Sequence, residues 1–297
     1  MNSTAREIRH GEGFVEVADR CWVARYEFLD VNVGVVAGDR GLLVIDTHAS
    51  EVEARTVVEQ VRRLARGDVV AVVNTHQHFD HTFGNAVFSD EYDGLELFAH
   101  EAAAAGLAES GPALQEEARN DDSEPRHADI ASARIVVPDQ TFSSARAIDL
   151  GDRFVELIHP GRGHTAGDSV IRVPDVDVMF AGDLVEESAQ RSGVPGFGDD
   201  CFPMEWPATM DLVISMLAAS SVVVPGHGVP VDLDFVQEQR NNIGTVAETI
   251  RDLAGRGVSV DDALASARWP YPTDELTHAV ARGYQHLPRS ARSLPLL

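Results

Sequence analysis

The chain has 297 residues, a formal net charge of −24, and 24 basic residues that are all arginine. That excess of acid repels phosphate backbones and anionic membranes, which argues against nucleic-acid and membrane partners while favouring solubility. Its two cysteines, Cys21 and Cys201, lie far apart with no CxxC spacing, which excludes a zinc ribbon, a thioredoxin-type motif and a disulfide scaffold.

The first twenty residues are polar and lack the apolar core of a secretory signal. No stretch has the length of a membrane-spanning helix. The expected location is therefore the cytoplasm. In chain order, 31–37 and 41–45 read as strands joined by a hairpin turn at Gly38-Asp39-Arg40, with Asp46 directly after the second. A helix is predicted over 50–66. Ser50 caps it, Val52, Val57, Val58, Val61 and Leu64 recur at near-helical spacing, and Gly67 stops it. Strand 69–73 leads into Thr75-His76-Gln77-His78-Phe79-Asp80-His81. Strand 95–99 and an alanine-rich helix over 101–109 follow, then a Gly-, Asp- and Ser-rich stretch, 109–134, expected to be a loop or lid. Further strands are predicted at 154–158, 169–173, 178–181 and 221–224, with a second long loop at 186–207. Helical patterns cover 207–218, 235–253, 260–267 and 274–286. Strands alternating with helices predict an α/β fold. Residues 1–231 would form its main domain and 232–297 a helical extension packed on it.

The chemistry concentrates after the strands. His76, His78, Asp80 and His81 place four potential metal ligands within six positions, on a loop at a strand's C-terminal end. The strand at 154–158 leads to Gly163-His164, that at 178–181 to Gly182-Asp183, and that at 221–224 to Gly226-His227-Gly228. A solvated polar turn explains one such cluster, but not three more ligand-type residues at separate strand ends. Imidazoles and carboxylates together suit zinc, iron or manganese.

In these motifs and their order the chain resembles the metallo-β-lactamase superfamily, over roughly residues 20–230. The resemblance implies an αββα sandwich with a C-terminal helical extension and a metal site at one edge, between the two sheets. It implies two divalent metal ions, zinc by default, with iron and manganese as alternatives. His76, His78 and His164 would hold the first ion, and Asp80, His81 and His227 the second. Asp183 would bridge the two, while Asp46 would orient a ligand by hydrogen bonding. A hydroxide shared by the metals would be the nucleophile. Asp80, the expected catalytic residue, would orient it and pass a proton to the leaving group.

The implied activity is hydrolysis of a carbonyl ester-like bond (lactone, thioester or β-lactam) in a small-molecule substrate. Having both His81 and Asp183 is similar to glyoxalase II and the lactonases. The β-lactamases with a cysteine ligand carry it where this chain has Asp183, and the flavodiiron proteins replace His78 by Glu. Glutathione thioesters are not assigned, because the chain has no lysine and a short tail. Two alternatives stand beside this expectation. One is a mononuclear iron persulfide dioxygenase on the same fold, using His76, His164 and Asp183. The other is a non-catalytic binding module that keeps the fold as scaffold. Among the other residues, His48 could line the pocket or lie on a surface loop. Arg191, Phe197, Cys201 and Trp206 could form a substrate wall, with Arg191 as a carboxylate anchor. Tyr271 and Tyr284 could reach in from the tail. His10, His100, His127, His159, His278 and His286 match no motif. The C-terminal helices are a candidate surface for homo-oligomer formation.

Overall fold

The valine- and leucine-rich runs form the central strands of two packed sheets in the computed structural model, which describes residues 8–288. One sheet has seven strands in chain order: β1 (Val15–Ala18), β2 (Cys21–Arg25), β3 (Asn32–Gly38), β4 (Gly41–Ile45), β5 (Val69–Val73), β6 (Glu96–His100) and β7 (Gln140–Phe142). The other contains β8 (Ala145–Asp149), β9 (Phe154–Ile158), β10 (Val170–Val173), β11 (Val178–Glu186) and β12 (Val222–His227), in the order β12-β11-β10-β9-β8. The first four strands pair antiparallel, then β4 to β7 run parallel. In the second sheet only β11 and β12 are parallel.

Strand alternation sorts side chains between layers. Leu43 and Ile45 of β4 point to a core shared with Leu157, Ile171 and Phe180 of the opposite sheet. Leu42 and Val44 point the other way, against Val57, Val58 and Val61 of α1 (Glu51–Arg63) and Phe88 of α3 (Asn85–Glu91). Beyond the second sheet, Met179 and Val223 pack under Trp206, Met210 and Val213 of α6 (Trp206–Ser215). The same cluster takes in Val236, Ile243, Val246, Ile250 and Leu253 of α7 (Leu233–Gly255), and Ala279 and Val280 of α9 (Thr277–His286). This is the αββα sandwich with C-terminal helices. Each fully buried Val, Leu or Ile contributes about 1.5–3 kcal/mol, so the tail helices share one core with β11 and β12. Between α7 and α9 lies the single-turn α8 (Val260–Ala263).

The structure corrects several expectations. Helix α1 is capped by Ser50 Oγ, which accepts from the Glu53 amide at 3.3 Å. It ends at Arg63, ahead of Gly67, because Ala65 turns left-handed (φ 52°). The expected lid at 109–134 is largely helical: α4 runs Glu101–Arg119 through Pro112, and α5 covers His127–Ser132. Gly111 and Pro112 disfavour a helix interior. However, Leu107, Leu114 and Ala118 lie on one face and pack with Phe83 and Ile130, and that burial outweighs local propensity. Strands β1, β2, β7 and β8 went unpredicted; β8 exposes four of its five residues and so lacks an apolar run. Asp183 does not follow a strand. It lies inside β11, where the pairing with β12 shifts register near Gly182.

Candidate metal centre

The loop from β5 to α2 (Phe79–Thr82) carries His76, His78, Asp80 and His81 to the edge where the two sheets meet. β11 and β12 bring Asp183 and His227 from the opposite sheet, and the turn between β9 and β10 brings His164. Two glycines permit the approach. Gly182 (φ 52°) lies so near Thr75 that a Cβ there would be 2.8 Å from it, and a Cβ on Gly226 would stand 1.9 Å from Asp183 Oδ1.

All seven predicted ligand residues converge. His76, His78 and His164 offer donor atoms that lie within 4.8 Å of one another, as do Asp80, His81 and His227. Asp183 lies between the sets. Its Oδ1 is 3.2 Å from His81 Nε2, and its Oδ2 is 3.1 Å from His227 Nε2 and 3.5 Å from His164 Nε2. Asp80 Oδ2 is 3.4 Å from His227 Nε2 and 3.6 Å from His81 Nε2. Glu186, also buried, stands close to Asp183 and His227.

The outer nitrogens show how the rings are held. His81 Nδ1 donates to Asp46 Oδ2 at 2.8 Å. His164 Nδ1 donates to the Gly196 carbonyl and His227 Nδ1 to the Leu29 carbonyl, each at 2.7 Å. His78 Nε2 donates to Asp200 Oδ2 at 3.1 Å. His76 Nδ1 donates to Thr75 Oγ1 at 3.0 Å, and that hydroxyl donates to Asp46 Oδ2 at 2.8 Å. Carbonyls and carboxylates only accept, so the outer nitrogens carry protons, and each inner nitrogen presents a lone pair once its ring is neutral. His78 Nδ1 and His164 Nε2 face each other at 2.8 Å, and His81 Nε2 faces His227 Nε2 at 3.4 Å. Lone pairs this close repel unless a proton or cation lies among them. A buried group of imidazoles and carboxylates, each ring oriented by an outer hydrogen bond, therefore fits divalent metal.

The electrostatics agree. Burial opposes ionisation of Asp183, but His227, His81, His76 and His164 hold its carboxyl well below the usual range. Burial also opposes charge on His227, yet Asp183, Glu186 and Asp80 raise its imidazole to about 9. For His76, burial and the neighbouring imidazoles win, and it falls well below the ordinary value. The rim is open on one side: the His78 and Asp200 side chains are 28% and 35% exposed, against 2% for Asp183.

Other expected residues fall differently. His48 is fully buried, not on a surface loop. Its Nδ1 accepts from the Ala49 amide at 2.7 Å, so Nε2 carries the proton, and Nε2 has no hydrogen-bond partner among the described residues. The ring lies edge-on to Tyr26 at 4.8 Å, and burial lowers its pKa to about 3. Phe197 and Trp206 pack behind His164 in the core, not as an exposed wall. Cys201 is buried, and burial pushes its thiol up to about 12. Tyr271 lies tilted against Phe197, with ring centres 6.3 Å apart, while Tyr284 donates to the Val258 carbonyl. Arg191 closes a short 3-10 turn, and its side chain lies outside the described residues. Asp200, Thr75, Glu186 and the Leu29 and Gly196 carbonyls were not anticipated. Thr75 could have been suspected from its place beside the motif, whereas the others carry no sequence signal.

A family model described as the metallo-beta-lactamase superfamily matches residues 26–227. A type 2 metallo-beta-lactamase of Bacillus cereus is 25% identical over 195 residues, and the match spans 65% of each chain. The alpha subunit of a 2,4-dinitroanisole O-demethylase from Nocardioides sp. (strain JS1661) is 26% identical over 164 residues, covering 54% of this chain and 43% of that one. The chain thus spans just under two thirds of the length of the first relative and less than half of the second. Among solved structures, the stereoselective inverting sec-alkylsulfatase Pisa1 from Pseudomonas sp. superposes with a TM-score of 0.74 at 19% identity, covering 92% of this chain and 50% of that one. A metallo-beta-lactamase from Pontibacter korlensis superposes at 0.61 with 21% identity, covering 78% and 98%. These structural likenesses concern the fold.

Proposed function

The chain belongs to the metallo-beta-lactamase superfamily, and we propose that it is a two-metal hydrolase acting on a carbonyl ester-like bond in a small-molecule substrate, a lactone, thioester or β-lactam. One observation carries this: two three-residue donor sets meet at Asp183. When bound, two divalent ions lower the pKa of water toward neutrality and polarise a carbonyl.

The protein's own residues supply the rest. His76, His78 and His164 would hold one ion, Asp80, His81 and His227 the other, with Asp183 between them. Substrate would enter on the exposed His78–Asp200 side, because the remaining donors are buried. Asp80 lies against the second set, with its carboxylate 3.4 Å from His227 Nε2. From there it would take up a proton from the attacking water and deliver it to the leaving group. The mononuclear iron alternative gives no task to Asp80, His81 and His227, although both imidazoles in that set are braced by outer hydrogen bonds. A non-catalytic module would need no such bracing.

Elemental analysis of the purified chain tests the reading, followed by anaerobic assays on lactones, thioesters, β-lactams, sulfate esters and aryl methyl ethers. The last two classes come from what the relatives' names say they act on. Two metals per chain with oxygen-independent hydrolysis supports the proposal. About one iron with oxygen consumption supports the dioxygenase. Full activity and full metal content in Asp80→Asn would remove the proton role from Asp80.

A further inference from the structure

The turn before β3 makes the centre's least expected contact. His227 Nδ1 donates to the carbonyl of Leu29, 198 positions away in sequence, at 2.7 Å. That carbonyl is aimed by an unusual backbone. Leu29 (φ 60°, ψ 5°) and Asp30 (φ 59°) are consecutive left-handed residues, and neither is glycine. Such residues are strained and persist only where the surroundings over-determine them.

What over-determines this pair is Asp30. Its side chain is 1% exposed, and its carboxylate takes Arg25 Nε at 2.5 Å, Arg25 Nη2 at 2.8 Å and His10 Nε2 at 2.7 Å. The Arg25 fork is bidentate, so it fixes orientation as well as charge. Arg25 Nη1 also donates to the Ile8 carbonyl at 3.1 Å, and the Tyr26 amide to the Val31 carbonyl at 2.9 Å, which closes the base of the turn. The Asp30 carbonyl accepts from the Gly228 amide at 3.1 Å. The turn therefore holds His227 by its ring and its following residue by the main chain.

We infer that Asp30, clamped by Arg25, is a positioning residue for His227 and thereby sets the affinity of the second metal position alone. The inference rests on the two-metal reading above. Its selectivity follows from the other rings: His81 is held by Asp46, His76 by Thr75, His78 by Asp200 and His164 by Gly196. Each of those contacts is made without the 29–30 turn. Without the Arg25–Asp30 pair the left-handed residues relax, the Leu29 carbonyl swings away and the His227 ring loses its fixed tautomer and direction.

The test is metal titration of the full chain with zinc, with each step resolved by competition against a chromophoric chelator. Three variants are compared with wild type: Asp30→Asn, Arg25→Gln and the double variant. Asn tolerates the left-handed region, so Asp30→Asn keeps the local backbone preference while it removes the charge and turns one acceptor oxygen of the clamp into a donor. The first metal position serves as the folding control within each sample. The second-step affinity is expected to fall ~10–100-fold, as for loss of an outer partner of a ligand, while the first step stays within about threefold. The double variant should weaken the second step no more than the worse single variant, because both remove the same clamp. Equal losses at both steps would show a general structural role and overturn the inference. So would unchanged titration in all three variants beside a wild type that binds two ions. A wild type that takes up a single ion overturns the two-metal reading itself, and this inference with it.

Discussion

The carboxylate of Asp46 accepts from His81 Nδ1 at 2.8 Å and, through the hydroxyl of Thr75, also braces His76. One side chain thus orients an imidazole in each donor set. Asp46 itself sits at φ 63°, directly after β4, and takes a further bond from the Thr75 amide at 2.8 Å.

Asp46→Asn should therefore weaken both metal positions, because the amide nitrogen cannot accept these donors. A loss of ~10–100-fold at each is expected, read by chelator competition. Asp200→Asn is the contrast. Asp200 takes His78 Nε2 at 3.1 Å and Gln77 Nε2 at 2.8 Å, and touches none of the second set. Only the first position should weaken in that variant. Equal effects of the two substitutions would contradict this division.

Metal uptake should depend on pH unequally. In the metal-free chain burial opposes a proton on His227, but Asp183 and its neighbours raise it to about 9. His81 is likewise raised well above its ordinary value, by Asp183, Asp80 and Asp46 against burial. Below about 9 an ion entering the second set must displace the proton on His227, and His81 holds a further one; in the first set Asp200 raises His78 against burial, but His76 has none to lose. Second-step affinity should thus fall more steeply from pH 8 to 6, by up to about tenfold per pH unit for each proton displaced. Calorimetry in buffers of differing ionisation heat counts the protons, and identical counts for both steps would refute the difference.

His48 should add an acid-side loss of stability. Burial pushes its imidazole from 6.5 to about 3. Between those values the unfolded chain binds a proton that the folded chain refuses, so stability falls as pH drops through 6.5 towards 3 and is unaffected above that window. His48→Gln removes this dependence. From pH 7.5 to pH 5 the urea midpoint of the chelated variant should therefore move upward relative to that of wild type. A difference independent of pH would show that His48 acts by packing alone.

The C-terminal helices should behave as core. Ile250 of α7 is fully buried in the cluster that includes Met179 and Trp206. Ile250→Ala should cost about 2–5 kcal/mol, similar to Ile171→Ala in β10, as measured by urea unfolding. A chain ending at 231 should be insoluble. A soluble, cooperatively folded truncation would mean that the helices are an independent extension.

Much of the fold was legible because burial on both sheet faces forces nearly continuous apolar strands, as at 41–45 and 69–73. Edge strands such as β8, wet on most positions, left no such trace. Helix α4 extends past the expected 101–109 because Leu107, Leu114 and Ala118 pack together, which outweighs the Gly-, Asp- and Ser-rich composition after 109.

The candidate donors were legible in the chain: His76, His78, Asp80, His81, His164, Asp183 and His227 stand out because side-chain chemistry is written in residue identity and spacing. How they are held emerges from the folding of distant segments against one another. A backbone carbonyl has no identity in sequence, so nothing marked Leu29 as the acceptor for His227 or Gly196 as the acceptor for His164. Asp200 is one acid among many until the chain folds it against His78. Such bonds depend on where two distant segments meet and on the left-handed turn that aims one at the other, and only the packed chain contains that information.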